Sequence, residues 1–271
     1  MKQCLLRFLS LLMVAILASC APASKKSSAV LKAEDAFKRN DFVSAFNMYK
    51  AEAENGDPEA QFRVGYMYST GKGVEKDQAQ SVAWLNQAGA NGHAMAQHNL
   101  GMIYSRGIGV NKDMALAADW YRKAADQGIV ESQINLAVIY YKGDGVTKDM
   151  ASAAQYFRMA ADKGNDRAQT SLGLMYMQGE GVTQDYQEAH KLFKTAATTG
   201  NAYAQNYLGV MYAKGMGVTQ SRAEALHWLH QAGLSYIKMG QKKQAEAVAN
   251  NIKSISPDSP AYRELAEKLN L

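Results

Sequence analysis

Hydrophobic and polar residues follow the period of an α-helix in short segments, and the whole pattern recurs every 36 residues. In the first full copy, four residues fall on one predicted helix face: Ala60, Val64, Met67 and Tyr68. The pattern starts again at Ala96, Ser132, Ala168 and Ala204. A fixed period of this size is typical of proteins built by stacking similar structural units.

Each copy is predicted to form a helix, a glycine-rich turn and a second helix, closed by a glycine. Gly71 and Gly73 mark the first turn, because glycine adopts the left-handed conformation that ends helices. A residue that can cap free amides stands at the start of each second helix. These residues are Asp77, Asp113, Asp149, Asp185 and Ser221. The resulting five units are 57–92, 93–128, 129–164, 165–200 and 201–236.

A pair of large residues recurs in each second helix: Trp84-Leu85, Trp120-Tyr121, Tyr156-Phe157, Leu192-Phe193 and Trp228-Leu229. Aromatic rings can stack on sugars, but five copies at core spacing favour packing between helices. The sequence therefore predicts an all-α fold, an α-solenoid of helix-turn-helix repeats in one continuous array.

Segments of a different pattern flank the repeats. Residues 30–56 predict an N-terminal capping helix pair, with a break at Asn40-Asp41. Beyond the repeats, Tyr236 replaces the closing glycine, and Tyr236-x-Lys238-x-Gly240 resembles a tetratricopeptide unit. We expect residues 237–271 to form tetratricopeptide-like capping helices, since the exposed ends of an array need covers.

The N-terminus has the features of an export signal. Basic residues, an apolar stretch and small residues follow one another in 1–19, which we interpret as a signal peptide. Leu17-Ala18-Ser19-Cys20 resembles the bacterial lipobox, so Cys20 is the expected lipidation site and 20–29 the lipidated cysteine with a flexible tether. Ordinary cleavage with Cys20 as a bystander is the alternative. In enterobacterial-type sorting, Ala21 implies the outer membrane.

Composition excludes several classes of function. The formal net charge of +5 is small and scattered, and loss of Lys2 and Arg7 with the signal would lower it by two, so nucleic acid is not an expected partner. Both cysteines, Cys4 and Cys20, lie in the first twenty residues. The repeats therefore contain neither disulfides nor thiolate metal ligands.

No catalytic arrangement stands out. Glu224, His227 and His230 could meet on one helix face. We call equivalent positions of successive repeats a column, and in the other repeats the columns of these histidines are expected to face solvent. An exposed pair of histidines is therefore favoured over a metal site. We expect His93 to cap a helix and His190 to be partly buried. The Gly-x-Gly turns follow helices and lack the flanking residues of phosphate loops. We expect no cofactor, no metal and no enzymatic activity.

These residues carry a family resemblance. The motif Ala-Gln-x-x-Leu-Gly-x-x-Tyr-x-x-Gly-x-Gly-Val-x-x-Asp, followed by Ala-x-x-Trp-Tyr-x-x-Ala-Ala, resembles the Sel1-like repeat, a relative of the tetratricopeptide repeat. The resemblance covers 57–236. It implies a right-handed superhelical α-solenoid whose concave side binds other proteins. A cysteine-rich subgroup is associated with β-lactams, but this chain lacks those cysteines.

Positions that vary between the copies are the candidates for recognition, because invariant positions serve packing. In related arrays the first helices line the inner surface, where an apolar centre with polar edges suits a peptide or helix. The candidate partner-binding groove comprises Phe62, Arg63, Tyr66, His98, Asn99, Met102, Ile134, Asn135, Tyr141, Thr170, Met177, Asn206 and Tyr207. The alternative is that the column of Tyr66 and Met102 packs against the next unit.

The sequence thus predicts a lipid-anchored envelope scaffold or adaptor that binds partner proteins or peptides along its concave surface. The expected location is the periplasmic face of the outer membrane, with membrane contact through the lipid anchor only. One alternative is the binding of peptidoglycan or another polysaccharide. Another is a hydrolase of the cell wall or of β-lactams.

Overall fold

The computed structural model describes residues 27–271, and every regular element in that range is an α-helix. The predicted signal peptide and Cys20 lie outside the described residues. No helix within 27–271 is long and apolar enough to cross a membrane. The helices are α1 (Ser28–Lys38), α2 (Phe42–Glu54), α3 (Pro58–Thr70), α4 (Gln78–Ala90), α5 (Ala94–Arg106), α6 (Met114–Asp126), α7 (Val130–Lys142), α8 (Met150–Ala161), α9 (Asp166–Gln178), α10 (Tyr186–Thr198), α11 (Ala202–Lys214), α12 (Arg222–Lys238), α13 (Lys242–Ile255) and α14 (Pro260–Leu269).

The structure confirms the predicted solenoid of helix-turn-helix repeats. The five repeats are the pairs α3/α4, α5/α6, α7/α8, α9/α10 and α11/α12. Where the sequence pattern predicted one continuous array, the structure groups the chain into two compact units, and the division falls between Asn91 and Gly92. Each repeat of a solenoid packs only on its neighbours, so a boundary between repeats is a natural place for such a division.

The turn within each repeat has a fixed geometry. Its first glycine has a φ between +69° and +73° in all five copies and caps the first helix. The Gly71 amide donates to the Met67 carbonyl at 2.9 Å, and the Asp77 amide then donates to the Tyr68 carbonyl at 3.0 Å. The predicted caps are confirmed as well, since the side chains of Asp77, Asp113, Asp149, Asp185 and Ser221 all accept backbone amides.

The second glycine of the turn has a packing role that the sequence analysis did not identify. It also has a positive φ in all five copies. In four of them, Gly73, Gly145, Gly181 and Gly217, it lies against the first turn of the preceding second helix. A Cβ atom at Gly73 or Gly181 would collide with a backbone carbonyl of that helix, and one at Gly217 would lie 2.6 Å from the Tyr186 carbonyl oxygen. Only glycine therefore allows this close approach.

The two members of each large pair in the second helices differ in their packing. Their second members, Leu85, Tyr121, Phe157, Phe193 and Leu229, are buried. They point at small residues of the first helix: a Cβ atom at Gly65 would lie 3.0 Å from Leu85 Cγ, and one at Gly173 would lie 2.8 Å from Phe193 Cε1. The predicted packing role of these pairs is confirmed, and the glycines set how closely the paired helices approach.

Helices precede the first repeat and follow the last one. In the first unit, α1 and α2 occupy the segment where a helix pair was predicted, and Phe46 and Tyr49 are buried with Val64 and Met67 of the first repeat. In the second unit, α12 continues to Lys238 because Tyr236, buried in its interior, replaces the closing glycine. Helices α13 and α14 then pack on α12.

Candidate functional site

Three adjoining concavities lie along the first helices of the third, fourth and fifth repeats. Their volumes are about 290, 240 and 480 Å³. Val138 borders the first and second, Leu174 borders the second and third, and Arg167 borders the first and third. Because they share these walls, the three form one depression, which we call the α7–α9–α11 groove.

Five of the candidate residues line this groove. Asn135 borders its first part, Tyr141 its middle, and Thr170 and Tyr207 its widest part. Ile134 also borders the first part, but it is only 8% exposed. Ile134 therefore contributes little surface to the groove, because its side chain packs in the core with Ala137 and Phe157.

The candidates on α5 contribute to packing in the second unit. His98 Nδ1 lies 2.8 Å from Ser132 Oγ, and its ring tilts against that of Tyr121 with centroids 5.8 Å apart. Burial lowers the pKa of His98, and the charge of Glu131 opposes this shift. Met102 packs on a buried cluster of α6 and α7, as the alternative for its column predicted. Asn99 is half-buried.

The two remaining candidates of the second unit are half-buried. Met177 packs against the cluster that contains Phe193 and Leu208, so it too serves the core. The Oδ1 atom of Asn206 is buried and has no hydrogen-bond partner within residues 27–271. Neither side chain lines the α7–α9–α11 groove.

The candidates of the first unit lie on α3. Arg63 pairs with Glu59 at 2.7 Å and with Glu34 at 3.9 Å, and Phe62 is half-buried. Tyr66 is 37% exposed and belongs to an aromatic cluster around the ammonium of Lys72. This cation lies 5.2 Å from the ring centroid of Phe37, 5.1 Å from that of Phe42 and 5.9 Å from that of Tyr66.

Lys72 is not among the sequence-based candidates, although the sequence carries a signal for it. Lys72 is the middle residue of a Gly-x-Gly turn, where the other four repeats have Ile108, Asp144, Glu180 and Met216. A lysine between two glycines would ordinarily extend into solvent. Here it stabilises the contact between the first repeat and the helix pair α1/α2, because an ammonium is attracted to aromatic faces.

The charges of the groove are unevenly paired. The Asp166 carboxylate accepts one hydrogen bond from the Arg167 backbone amide and one from the Asn201 side-chain amide, both at 2.9 Å. Glu180 accepts the Tyr141 hydroxyl at 3.1 Å, and this hydrogen bond raises the pKa of Tyr141. By contrast, Arg167 and Lys142 form no ion pair within the described part of the chain. Two nearby carboxylates are therefore already engaged, whereas the cations Arg167 and Lys142 and the exposed Asp144 form no ion pairs within the described residues.

The histidines of α12 have separate partners. His230 Nε2 lies 3.0 Å from Glu264, the His227 ring packs edge-on against Trp228, and Glu224 accepts the Trp228 indole N–H at 3.1 Å. Within residues 27–271 no group of three potential metal ligands converges. His93 caps α5 through Nδ1, and His190 is half-buried beside Tyr212, as predicted.

The fold and the groove together define a protein of the helical-repeat class. A comparison with family models finds Sel1 repeats at 58–93, 94–129, 130–165, 166–201 and 202–235. The chain belongs to the Sel1 repeat family. Proteins with this repeat generally mediate protein–protein interactions and are typically not enzymes.

Two solved bacterial structures are similar to the chain. One is a protective antigen present in uropathogenic Escherichia coli strains, with 34% identity and a TM-score of 0.71, covering 83% of this chain and 48% of that one. The chain thus spans about half of that protein's length. The other is a Sel1 repeat protein from Oxalobacter formigenes, with 29% identity and a TM-score of 0.70, covering 90% of this chain and 97% of that one. No curated protein matches the chain.

Proposed function

We propose that the protein is a lipid-anchored scaffold of the bacterial cell envelope that binds a protein or peptide along the first helices of its repeats and catalyses no reaction. The observation that carries this proposal is the α7–α9–α11 groove, which is open and lined by residues that differ between the repeats. Its centre is apolar at Val138 and Leu174, and its edges are polar. Grooves of this kind suit a peptide or an amphipathic helix.

In-cell crosslinking tests this binding function. A photoreactive amino acid placed at Tyr141 or Tyr207 should give the same discrete adducts, since both positions line the groove. Gln155, exposed on the second helix α8, is the control position and should give none. Equal adducts from all three positions, or no adduct from the groove positions, would contradict the proposal.

The envelope anchor is supported by the sequence Leu17-Ala18-Ser19-Cys20 at the end of the signal-like segment. Lipidation of Cys20 by two or more acyl chains would hold the protein stably at a membrane, and Ala21 favours the periplasmic face of the outer membrane. Metabolic labelling with an alkyne fatty acid should mark the wild type but not Cys20→Ser. An unlabelled wild type would remove the anchor from the proposal and leave the binding function untouched.

Binding of peptidoglycan or a related polysaccharide is the second candidate. It is favoured by the widest part of the groove, where Tyr203 and Tyr207 lie beside Asp166 and Asn201. Aromatic rings next to planar polar groups suit sugar recognition, since the rings cover the apolar face of a sugar and the polar groups bond its hydroxyls. Sedimentation with purified wall sacculi tests this candidate, and a protein that stays in the supernatant would exclude it.

A further inference from the structure

We infer that the α7–α9–α11 groove selects a peptide segment in which a carboxylate lies next to a large apolar side chain. Arg167 would pair with the carboxylate, and the widest part of the groove would take the apolar side chain. This inference rests on the proposed function, because it names the ligand chemistry of the same groove. It is carried by the shape of the widest part, the position of Arg167 and the pairing of the neighbouring acids.

The widest part of the groove is an apolar pocket whose walls are held in place. Its volume of about 480 Å³ lies within the range of small-ligand sites. Two of its apolar side chains are strongly exposed, Tyr203 at 44% and Met239 at 50%. Exposed apolar groups clustered in a concavity are a mark of an interaction surface.

Both tyrosine rings of this pocket pack against another aromatic ring of the protein. Tyr207 stacks on Phe193, with centroids 5.0 Å apart and planes 21° apart. Tyr203 packs edge-on against Tyr236 at 5.3 Å. Walls that are already ordered lose little conformational entropy when a ligand binds. The pocket is therefore prepared for a large apolar side chain.

Arg167 occupies a position where the helix itself disfavours a cation. It is the second residue of α9, and the positive end of the helix dipole favours acidic side chains in the first turn. The same column contains Glu59 in the first repeat and Glu131 in the third, in agreement with that preference. Arg167 reverses the charge, is exposed, and has no ion pair within residues 27–271. An external carboxylate would supply the missing partner.

The neighbouring acids leave this charge unmatched. Both carboxylate oxygens of Asp166 already accept hydrogen bonds, one from a backbone amide and one from Asn201. The exposed Asp144 lines the first concavity together with Lys142 and Arg167, but it forms no ion pair with Arg167 within residues 27–271. The widest part of the groove therefore presents the guanidinium of Arg167 without an ion-pair partner among the described residues. The planar fork of a guanidinium suits bidentate pairing with a carboxylate.

Selection from a random peptide library displayed on phage tests the inference with the full-length protein in detergent. Selected peptides should share an Asp or Glu within two residues of a large apolar residue. In anisotropy measurements, Glu→Gln in the peptide or Arg167→Glu in the protein should weaken binding by about tenfold or more, because a charge-assisted hydrogen bond is lost. Amidated and free peptides distinguish an acidic side chain from a C-terminal carboxylate.

Arg222→Glu is the matched control, since Arg222 is an exposed arginine in the first turn of α12 that does not line the groove. It should leave the affinity unchanged, and Arg167→Glu should regain affinity for a peptide that carries Lys in place of Glu. Groove-binding peptides without an acid, or equal effects of Arg167→Glu and Arg222→Glu, would overturn the inference while the peptide-binding function stands. If no peptide is selected and sacculi bind instead, both the inference and the peptide-binding function are wrong.

Discussion

The Nδ1 atom of His98 lies 2.8 Å from the Oγ atom of Ser132, which joins the first helices of the second and third repeats. Ser132 is fully buried, and the imidazole ring also contacts Tyr121. This inter-repeat contact places a titratable group in the packed part of the second unit. Burial lowers the pKa of His98 below the value of about 6.5 expected in the unfolded chain.

Acidification should therefore destabilise the second unit through His98. As the pH falls below about 6.5, the unfolded chain binds a proton before the folded one does, so the free energy of unfolding decreases. His190, whose pKa is also lowered by burial and by Lys194, acts in the same direction. Above that pH both states are neutral at these residues and the effect vanishes.

Urea unfolding of His98→Gln at pH 7.5 and pH 5 measures this contribution. The variant should lose less stability than the wild type between the two pH values, since glutamine does not titrate. His227→Gln is the control, because His227 is exposed on α12. An identical pH dependence for His98→Gln and the wild type would show that His98 does not contribute.

Replacement of the second turn glycine should be more damaging than replacement of a glycine in open surroundings. Gly181→Ala combines a φ of +70° with a collision against the Met150 carbonyl. Gly164→Ala has a φ of +82° but no heavy atom near the added Cβ. We expect a loss of about 1–2 kcal/mol for Gly164→Ala from backbone strain and a further loss of about 1–3 kcal/mol for Gly181→Ala from overpacking. Equal losses in chemical denaturation would contradict the packing role.

Removal of the Lys72 ammonium should loosen the first unit. Three aromatic rings surround this cation, and each interaction of this type contributes about 0.5–1 kcal/mol at a partly exposed site. Lys72→Met should therefore lower the stability by about 1 kcal/mol or more, as measured by thermal unfolding. Lys76→Met, at an exposed position in the same turn, should have little effect. The reverse order would contradict the cluster's role.

Local chemistry explains why most of the fold could be predicted. Some interactions act within one repeat, so sequence spacing reveals them. These are the helix caps at Asp77 and Ser221, the left-handed conformation of Gly71 and the packing of Phe193. Two other contacts could not be predicted this way, because both join different helix pairs. They are the packing of Gly73 on Phe42 and the contact of the Lys72 ammonium with aromatic rings of α1 and α2. A fixed period indicates that neighbouring units touch, but it does not identify the touching atoms.

The candidate groove could be predicted only in part for a related reason. A residue that varies between repeats is expected to be free of packing, and Tyr141 and Tyr207 do line the groove. His98 and Ile134 vary as well, yet both take part in packing. His98 contacts Ser132 of the next repeat, and Ile134 belongs to the buried cluster that contains Phe157 of its own repeat. Variation therefore indicates either recognition or a local packing solution, and only the structure distinguishes them.

A column of buried glutamines suggests a stabilising substitution. Gln97 Oε1 accepts a hydrogen bond from Gln127 at 2.7 Å, and Gln127 also donates to the Gly92 carbonyl at 3.0 Å. One repeat later, Gln133 Oε1 is buried without a partner within the described residues. The residue equivalent to Gln127 is there Lys163, which donates only to the Gly128 carbonyl, at 2.7 Å.

Lys163→Gln should reproduce the arrangement of the preceding repeat. Its amide can donate both to the Gly128 carbonyl and to Gln133 Oε1, which removes an unsatisfied buried acceptor and should raise the free energy of unfolding by about 1 kcal/mol. Lys163→Ala is the control, since it removes the existing hydrogen bond and leaves Gln133 unsatisfied, and should be no more stable than the wild type. Chemical denaturation of the three proteins gives the order, and a glutamine variant no more stable than the alanine variant would mean that the unpaired oxygen costs little.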